Sequence, residues 1–485
     1  MSKIMSKVEG PKSKAEGPRS KVEPSTFNSQ RSCSKDFMKI LSFTTVYPNA
    51  AQPGVGVFVR ERLRHAARLA DLRVVAPVPW FPFGHRITPQ TRPRLSSRVE
   101  RGEIEVQHPR FFSVPGVFKA LDGLFLFLSS VAAVRRLKRE GFDFDLIDAH
   151  FAYPDGLAAV LLGLLFRRPV VVTLRGTEIP LSAYRLRRLQ IRFVLRRASI
   201  VVVLSRALEA LARESGAGPE KIVRIPNGVD GAAFRPIQRE EARRPLGLPA
   251  DARIVVSAGG LCRRKGHHRL VEIWPEVRRD VPGAMLLIVG GPTAEGDETD
   301  ALLRKIGERG LGSDVRLVGP RPHEEMPLWL SAADLFVLAT TNEGSCNVVR
   351  EALSCGTPVV TTPVGDNAEV VREPQSAPQS PPHGAGSRRA SANNEMYLGG
   401  RRIPAFQGGV LQPACGVLVR PDETSALARA VIEGLTRVWD REGVRSSVAS
   451  ESWDGVAARV ADVWRSVANV DEEEVRVLER SQARS

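Results

Sequence analysis

From residue 38 onward, short apolar runs of strand length alternate with longer stretches whose apolar positions recur at helical spacing. MKILSFTTVYP (residues 38–48), LRVVAPV, IEVQHPRF, DLIDAHFA, PVVVTLRG and SIVVVLS read as strands, and FVRERLRHAARLA (58–70) reads as an amphipathic helix between the first two. IPNGVD (225–230), followed by Phe234 and Pro236, closes this first series, and a linker rich in Arg, Glu and Pro is expected over residues 238–251. A second series runs through ARIVVSAGG, AMLLIVGG, DVRLVG, ADLFVLAT and TPVVTT. The alternation predicts an α/β protein of two doubly wound Rossmann-like domains with an interdomain cleft, where ligands collect at the C-terminal ends of the strands. The expected domains span 38–238 and 239–440, with a closing helical segment over 441–485.

Two stretches break the pattern. Residues 1–37 contain a degenerate seven-residue repeat (SKVEGPK, SKAEGPR, SKVEP) that is polar and interrupted by proline, so a disordered tail is expected. It is either an accessory arm or a segment preceding a true start at Met38. Residues 373–413 open with EPQSAPQSPPHGAGSRRASANN, rich in Pro, Ser and Gly, and are expected to be a disordered insertion.

Composition narrows the class. The chain has 485 residues and 42% hydrophobic content, enough for two or three domains with sizeable cores. GLFLFLSSVAAV (123–134) and GLAAVLLGLLF (156–166) are too short to span a bilayer and read as buried helices. No basic flank and apolar core stand at the N-terminus, so no signal peptide is indicated. The five cysteines form no CxxC and have no His-x-x-His companion, which argues against a disulfide framework or zinc site and for a reducing cytoplasm. A net charge of +16 suits an anionic partner, but aromatic RNA-binding motifs, zinc fingers and helix-turn-helix spacing are absent from the sequence, so nucleic acid is not expected.

The candidate chemistry centres on TTNEGSCNVVREALSCGTPVV (340–360). ADLFVLAT before it reads as a buried parallel strand, and a helical pattern opens near Asn347, with Val348, Ala352 and Leu353 able to share a face. Strand, glycine loop and helix N-terminus make a seat for an anion on the amides of Gly344, Ser345, Cys346, Asn347 and Val348. Glu343 and Glu351, eight residues apart, flank that seat and can accept hydroxyl hydrogen bonds from opposite ends of a ligand. Ribose, diphosphate and sugar have that order. Two acids at this spacing mean little alone, since solvated helices carry such pairs. Gly54 and Gly56, between the first strand and its helix, let backbone amides approach a phosphate or sugar, or simply make a tight turn. In CRRKGHH (262–268), Arg263, Arg264 and Lys265 stand before a helix, where cations neutralise a leaving diphosphate or merely face solvent. His150 ends its strand at the expected cleft edge. Asp143-Phe144-Asp145 precedes a strand and reads as a solvated pair, so no metal is expected. Arg185, Arg188, Arg192 and Arg196 fall at helical spacing beside Leu189 and Phe193, a face suited to anionic lipid or to water.

EGSCNVVREALSCGTPVV strongly resembles the Glu-x7-Glu signature of the GT4 family of retaining glycosyltransferases, which have the GT-B fold, and the resemblance extends from Met38 to about residue 470 apart from the insertion. It implies that Glu351 holds the ribose hydroxyls, that Glu343 lies against the donor sugar, and that the loop of Gly54 and Gly56 touches the diphosphate and sugar. Lys265 matches the family's cation. The family's arginine five positions earlier is Gly260 here, which leaves Arg263 or Arg264 to replace it. A His-containing loop near the acceptor corresponds to His150, and many relatives have a donor-contacting His where this chain has Arg175. The resemblance implies transfer from a UDP- or GDP-sugar donor to a carbohydrate or lipid-linked glycan acceptor, with no cofactor. The whole pattern is most similar to bacterial transferases that build cell-surface polysaccharides, including the teichuronic-acid type, with peripheral contact at the inner face of the cytoplasmic membrane. A UDP-sugar 2-epimerase of the same fold and a weakened nucleotide-sugar-binding scaffold are the alternatives.

Overall fold

The computed structural model describes residues 37–82, 104–293, 295–371, 415–421 and 423–482, with strand pieces at 397–398, 401–402 and 410–411. Two seven-stranded sheets organise residues 38–482. The first contains β1 (Lys39–Phe43), β2 (Asp71–Val75), β3 (Glu105–Gln107), β4 (Leu146–His150), β5 (Val170–Leu174), β6 (Ile200–Val203) and β7 (Ile222–Arg224), in the spatial order β3-β2-β1-β4-β5-β6-β7. All of its pairings are parallel. The second contains β8 (Arg253–Ala258), β9 (Ala284–Val289), β10 (Val315–Gly319), β11 (Leu335–Leu338), β12 (Val359–Thr361), β13 (Val410–Leu411) and β14 (Gly416–Val419), in the order β10-β9-β8-β11-β12-β14-β13. Only the edge strand β13 runs antiparallel, against β14.

The central runs are strands because they are rich in β-branched and large apolar residues: VVVTL in β5 and LFVL in β11 are buried at every position, as strands with both faces covered must be. The order reverses beside β1 and β8, so the C-terminal ends of these strands open onto a crevice. Helices packed on the sheets include α1 (Val57–Ala66), α2 (Asp122–Arg139), α3 (Leu157–Phe166), α4 (Arg185–Arg197), α5 (His267–Asp280), α6 (Asn347–Ser354) and α7 (Trp453–Gln482). One face of the first sheet packs on α2, α3 and α4. The other packs on α1 and α7, with Val59 and Leu63 of the former against Trp453, Val460 and Trp464 of the latter.

Four expectations are corrected. The stretch beginning at Gln238 is not a linker: a helix forms over Arg239–Arg243, Ala242 is buried, and Arg243 donates to Asp334 Oδ2 (2.8 Å) and the Ala332 carbonyl (3.0 Å). Its charged residues have partners inside the second domain. IEVQHPRF splits in two, because the residues after Gln107 leave the sheet and Arg110–Phe112 pairs with Val78–Trp80 instead. The apolar helices α2 and α3 are not wholly buried: Leu128 is 58% and Leu164 53% exposed. Within 373–413, strand pieces occur at Tyr397–Leu398, Arg401–Arg402 and Val410–Leu411. The rest of that stretch, and residues 1–36, lie outside the described residues.

Candidate active site

Glu343 sits where the two domains meet. It follows β11, is 9% exposed, and its Oε1 accepts from Lys265 Nζ (2.7 Å), Arg264 Nη1 (3.0 Å) and Thr340 Oγ1 (2.9 Å). Burial opposes charge on Lys265, but Glu343 outweighs it and raises the lysine pKa. Arg264 also grips Glu295 through Nε (2.7 Å) and Nη2 (2.8 Å), a fork matched to a carboxylate. Of the two arginines before α5, Arg264 therefore faces the cleft, whereas Arg263 is 79% exposed and reaches Glu298 at 3.6 Å. Gly260 leaves no room for the family's arginine, since a Cβ there would meet Thr293 Cγ2 at 2.2 Å.

The loop after Glu343 is held by partners that sequence reasoning missed. Gly344 packs so tightly on the first domain that a Cβ would meet the Arg175 carbonyl oxygen at 1.7 Å. Cys346 N–H donates to Asp366 Oδ1 (3.1 Å), so the amide expected to serve an anion is already taken. Arg350, 1% exposed, points Nη2 at Asp366 Oδ2 (2.7 Å), Nη1 at Ser345 Oγ (3.0 Å) and Nε at Glu451. Burial works against its charge, yet Asp366 and Glu451 prevail and raise its pKa. The Cys346 thiol, pushed up to about 12 by burial and then by Glu343, is neutral packing rather than a nucleophile. Nothing in the helical pattern of the sequence distinguishes Arg350 from a solvated residue; only its place between the two glutamates was a signal.

Glu351 lies on the far side of α6's first turn and accepts from His323 Nε2 at 3.0 Å, which raises the His323 pKa. Two pockets meet along this line. One, of about 830 Å3, is bordered by Gly54, Gly260, Lys265, Asn347, Val348 and Glu351. The other, of about 770 Å3, is bordered by Thr45, Gly56, Tyr153, Asp155, Arg175 and Gly344. Arg264, Glu343 and Ser345 border both. Gly56 takes φ +74° at the start of α1, where a Cβ would meet the Val46 carbonyl at 2.3 Å, so this glycine is required by the turn. Gly54 has open space around it.

His150 differs from expectation. Its ring is fully buried behind Arg175 and borders neither pocket. Its Nδ1 accepts from Arg175 Nη2 (2.9 Å), and its Nε2 lies 3.4 Å from Ser42 Oγ and 3.6 Å from Asp148. Burial, then Arg175 and Arg62, hold its pKa well below the usual histidine range. His150 positions Arg175. Arg175 in turn donates through Nη1 to Asn227 Oδ1 (3.1 Å), and Asn227 Nδ2 donates to Asn347 Oδ1 (2.8 Å) at the start of α6, which links the domains. Asp155, also unforeseen, is buried at the pocket edge with both oxygens held by Thr45; burial pushes its pKa up to about 7.

Comparison with known proteins agrees with this geometry. A family profile described as "Glycosyl transferases group 1" matches residues 238–379, and one described as "Glycosyl transferase 4-like domain" matches residues 53–228. The chain is 32% identical over 336 residues, 68% of its own length and 82% of the other, to TuaC of Bacillus subtilis, a glycosyltransferase assigned to teichuronic acid biosynthesis. It is 35% identical over 226 residues to D-inositol 3-phosphate glycosyltransferase 1 of Catenulispora acidiphila, covering 45% of this chain and 54% of that one. Among solved structures, sucrose-phosphate synthase from Thermosynechococcus elongatus superposes with a TM-score of 0.67 at 20% identity, over 89% of this chain and 100% of that one. Anabaena Alr3699/HepE in complex with UDP superposes with a TM-score of 0.56 at 20% identity, over 91% and 100%. With two wound domains, a cleft between them and matched sequence across both, the chain belongs to the GT4 family of glycosyltransferases and is a transferase enzyme of the GT-B fold.

Proposed function

We propose that the enzyme moves a sugar from a UDP- or GDP-sugar to a hydroxyl of a carbohydrate or lipid-linked glycan acceptor, with retention at the anomeric carbon. The observation that carries this reading is the meeting of two pockets at Glu343, with Glu351 at the far end of one. In this reading Glu351 exchanges His323 for the ribose hydroxyls. The diphosphate lies between the glycine loop of Gly54 and the start of α6, where Asn347 and Val348 amides and the helix dipole face it. Lys265 and Arg264 swing from Glu343 to the phosphates and leave its carboxylate to orient the sugar hydroxyls. The acceptor hydroxyl enters from the pocket of Thr45 and Tyr153. Its oxygen bonds to the anomeric carbon as the bond to the phosphate oxygen breaks, and its proton passes to that leaving phosphate. Lys265, Arg264 and the α6 N-terminus stabilise the charge that develops there.

The acceptor's setting is read from the surface. On α4, Arg185, Arg188, Arg192 and Arg196 run beside an exposed apolar stripe of Leu186 (62%), Leu189 (60%) and Phe193 (37%). Gln190 Nε2 joins this helix to the Ala120 carbonyl (2.9 Å), just before the exposed Leu121, Leu124 and Leu128 of the α2 edge. Apolar side chains ringed by arginine suit an anionic bilayer. Among the described residues no helix is long and apolar enough to cross a membrane. We place the enzyme at the inner face of the cytoplasmic membrane, in cell-surface polysaccharide synthesis.

The test is thermal shift with UDP, GDP and ADP, with and without EDTA, followed by acceptor-dependent release of the nucleoside diphosphate. Stabilisation by one diphosphate and release only with acceptor support a transferase. Conversion of donor without acceptor would replace this reading with an epimerase, and a flat panel from folded protein would replace it with a scaffold.

A further inference from the structure

The first-domain pocket contains a buried cation that no carboxylate touches. Arg175 is 6% exposed and borders the pocket. Its Nε (3.3 Å) and Nη2 (2.9 Å) approach His150 Nδ1, and its Nη1 donates to Asn227 Oδ1 (3.1 Å). Both acceptors are neutral, since His150 is held unprotonated by burial and by the two arginines beside it. Among the described residues no carboxylate stands within ion-pairing distance of this guanidinium. Asp148 acts on it from beyond His150 and is shared with Arg62, whose Nη2 lies 3.9 Å away. Glu178 acts on it too, but its oxygens accept from the amides of Ala152, Arg175 and Gly176. Of the carboxylates bordering the pocket, Glu295 is paired with Arg264, and Glu343 with Arg264 and Lys265.

A buried guanidinium with no carboxylate in contact is costly, and a ligand can supply the contact. Three of the five N–H donors of the guanidinium are occupied, and its plane is fixed by the Phe58 ring, whose centroid is 5.0 Å from Cζ. The remaining donors belong to the group best shaped to hold a carboxylate or phosphate.

We propose that the sugar bound beside Glu343 carries an anionic group, a carboxylate or a phosphate, which Arg175 receives. The inference rests on the transferase reading and names its substrate class: an anionic sugar, either the transferred residue of the donor or the terminal residue of the acceptor.

The test uses the full chain and isothermal titration. UDP and GDP are titrated first. With the base that binds, the matched pair of nucleotide-glucose and nucleotide-glucuronate is compared in one arm. In the other, with the nucleoside diphosphate saturating, methyl glucoside is compared with methyl glucuronide and glucose 6-phosphate. In one arm the anionic member is expected to bind about tenfold tighter or more than its neutral counterpart, the size of a charge-assisted hydrogen bond. Arg175→Gln and Arg175→His are expected to abolish that preference, the neutral and anionic members being compared on each variant at its own saturating nucleotide. The wild-type comparison decides the matter even where a variant does not fold. Equal binding of neutral and anionic members in both arms, with the nucleotide bound, overturns the proposal and leaves the transferase reading intact. Failure to bind either nucleotide overturns that reading, and this inference with it.

Discussion

Glu343 holds two cations at once, and Glu351 holds a histidine. In the proposed reading, a ligand exchanges with these partners. For Glu351→Ala we expect donor affinity to fall about tenfold to a hundredfold, as loss of hydrogen bonds to a charged group does, with melting temperature little changed. Titration calorimetry with the nucleoside diphosphate reads this directly, and an unchanged affinity removes Glu351 from the ribose site. The His323–Glu351 pair adds a pH dependence. Because the folded-state pKa of His323 is raised, its contribution to stability is complete below about pH 6.5, the unfolded value, and is lost as pH rises through the folded value. The wild type should therefore melt slightly above His323→Gln in mildly acidic buffer and together with it at higher pH. The gap will be small, since the His323 side chain is 40% exposed. At this scale the sequence made the two glutamates and Lys265 visible through spacing and frame. It hid Arg350, Asp366, His323 and Asn227, whose roles arise from contacts between residues far apart in the chain, and it hid the burial of His150, which cannot be seen in a strand-end position.

The elements around the cleft are fastened rather than loosely looped. Asp366 binds the Cys346 amide and Arg350 together, and Gly365, at φ +59°, lets the turn beneath Glu343 pass where a Cβ would meet the Glu343 carbonyl at 2.6 Å. Removing Arg350 strands two carboxylates, one of them buried. Arg350→Ala is expected to destabilise the protein by about 3 kcal/mol, seen as a lowered melting midpoint that nucleotide does not fully restore. Gly344→Ala acts differently: the added methyl drives the loop off the Arg175 carbonyl, so activity should fall severely while the isolated strand and helix around it persist. Circular dichroism compared with turnover separates the two effects. Elements of this kind were legible where periodicity is strong, as in α1, β5 and β11. The helix over Arg239–Arg243 was not, because five residues carry too little pattern and its arginines read as solvated until Asp334 is placed beside them.

In a molecule of net charge +16, α4 carries six arginines and no acid, beside an apolar stripe. Reversing two of its cations, in Arg188→Glu with Arg192→Glu, should release the protein from vesicles containing anionic lipid, by about 1 kcal/mol or more for each charge, while leaving nucleotide affinity as it was. Sedimentation with vesicles checks this; unaltered binding removes the face from the interface. The alternating pattern made two wound domains plain. The chain crosses between them twice, as the resemblance of the terminal helix implies: once near Val229, and again at Glu451, whose carbonyl accepts from the Val229 amide at 2.8 Å. After the second crossing, α7 completes the core of the first domain with Trp453, Val456, Val460 and Trp464. On the ribosome, the domain that emerges first is therefore finished last. Until α7 has been made, the sheet face carrying Ile40, Leu146, Val171 and Val202 lacks half its cover, whereas the second domain lies between the crossings and has its strands in hand. Folding should run against the order of synthesis, with the nascent first domain exposed to chaperones and proteases until the last helix arrives.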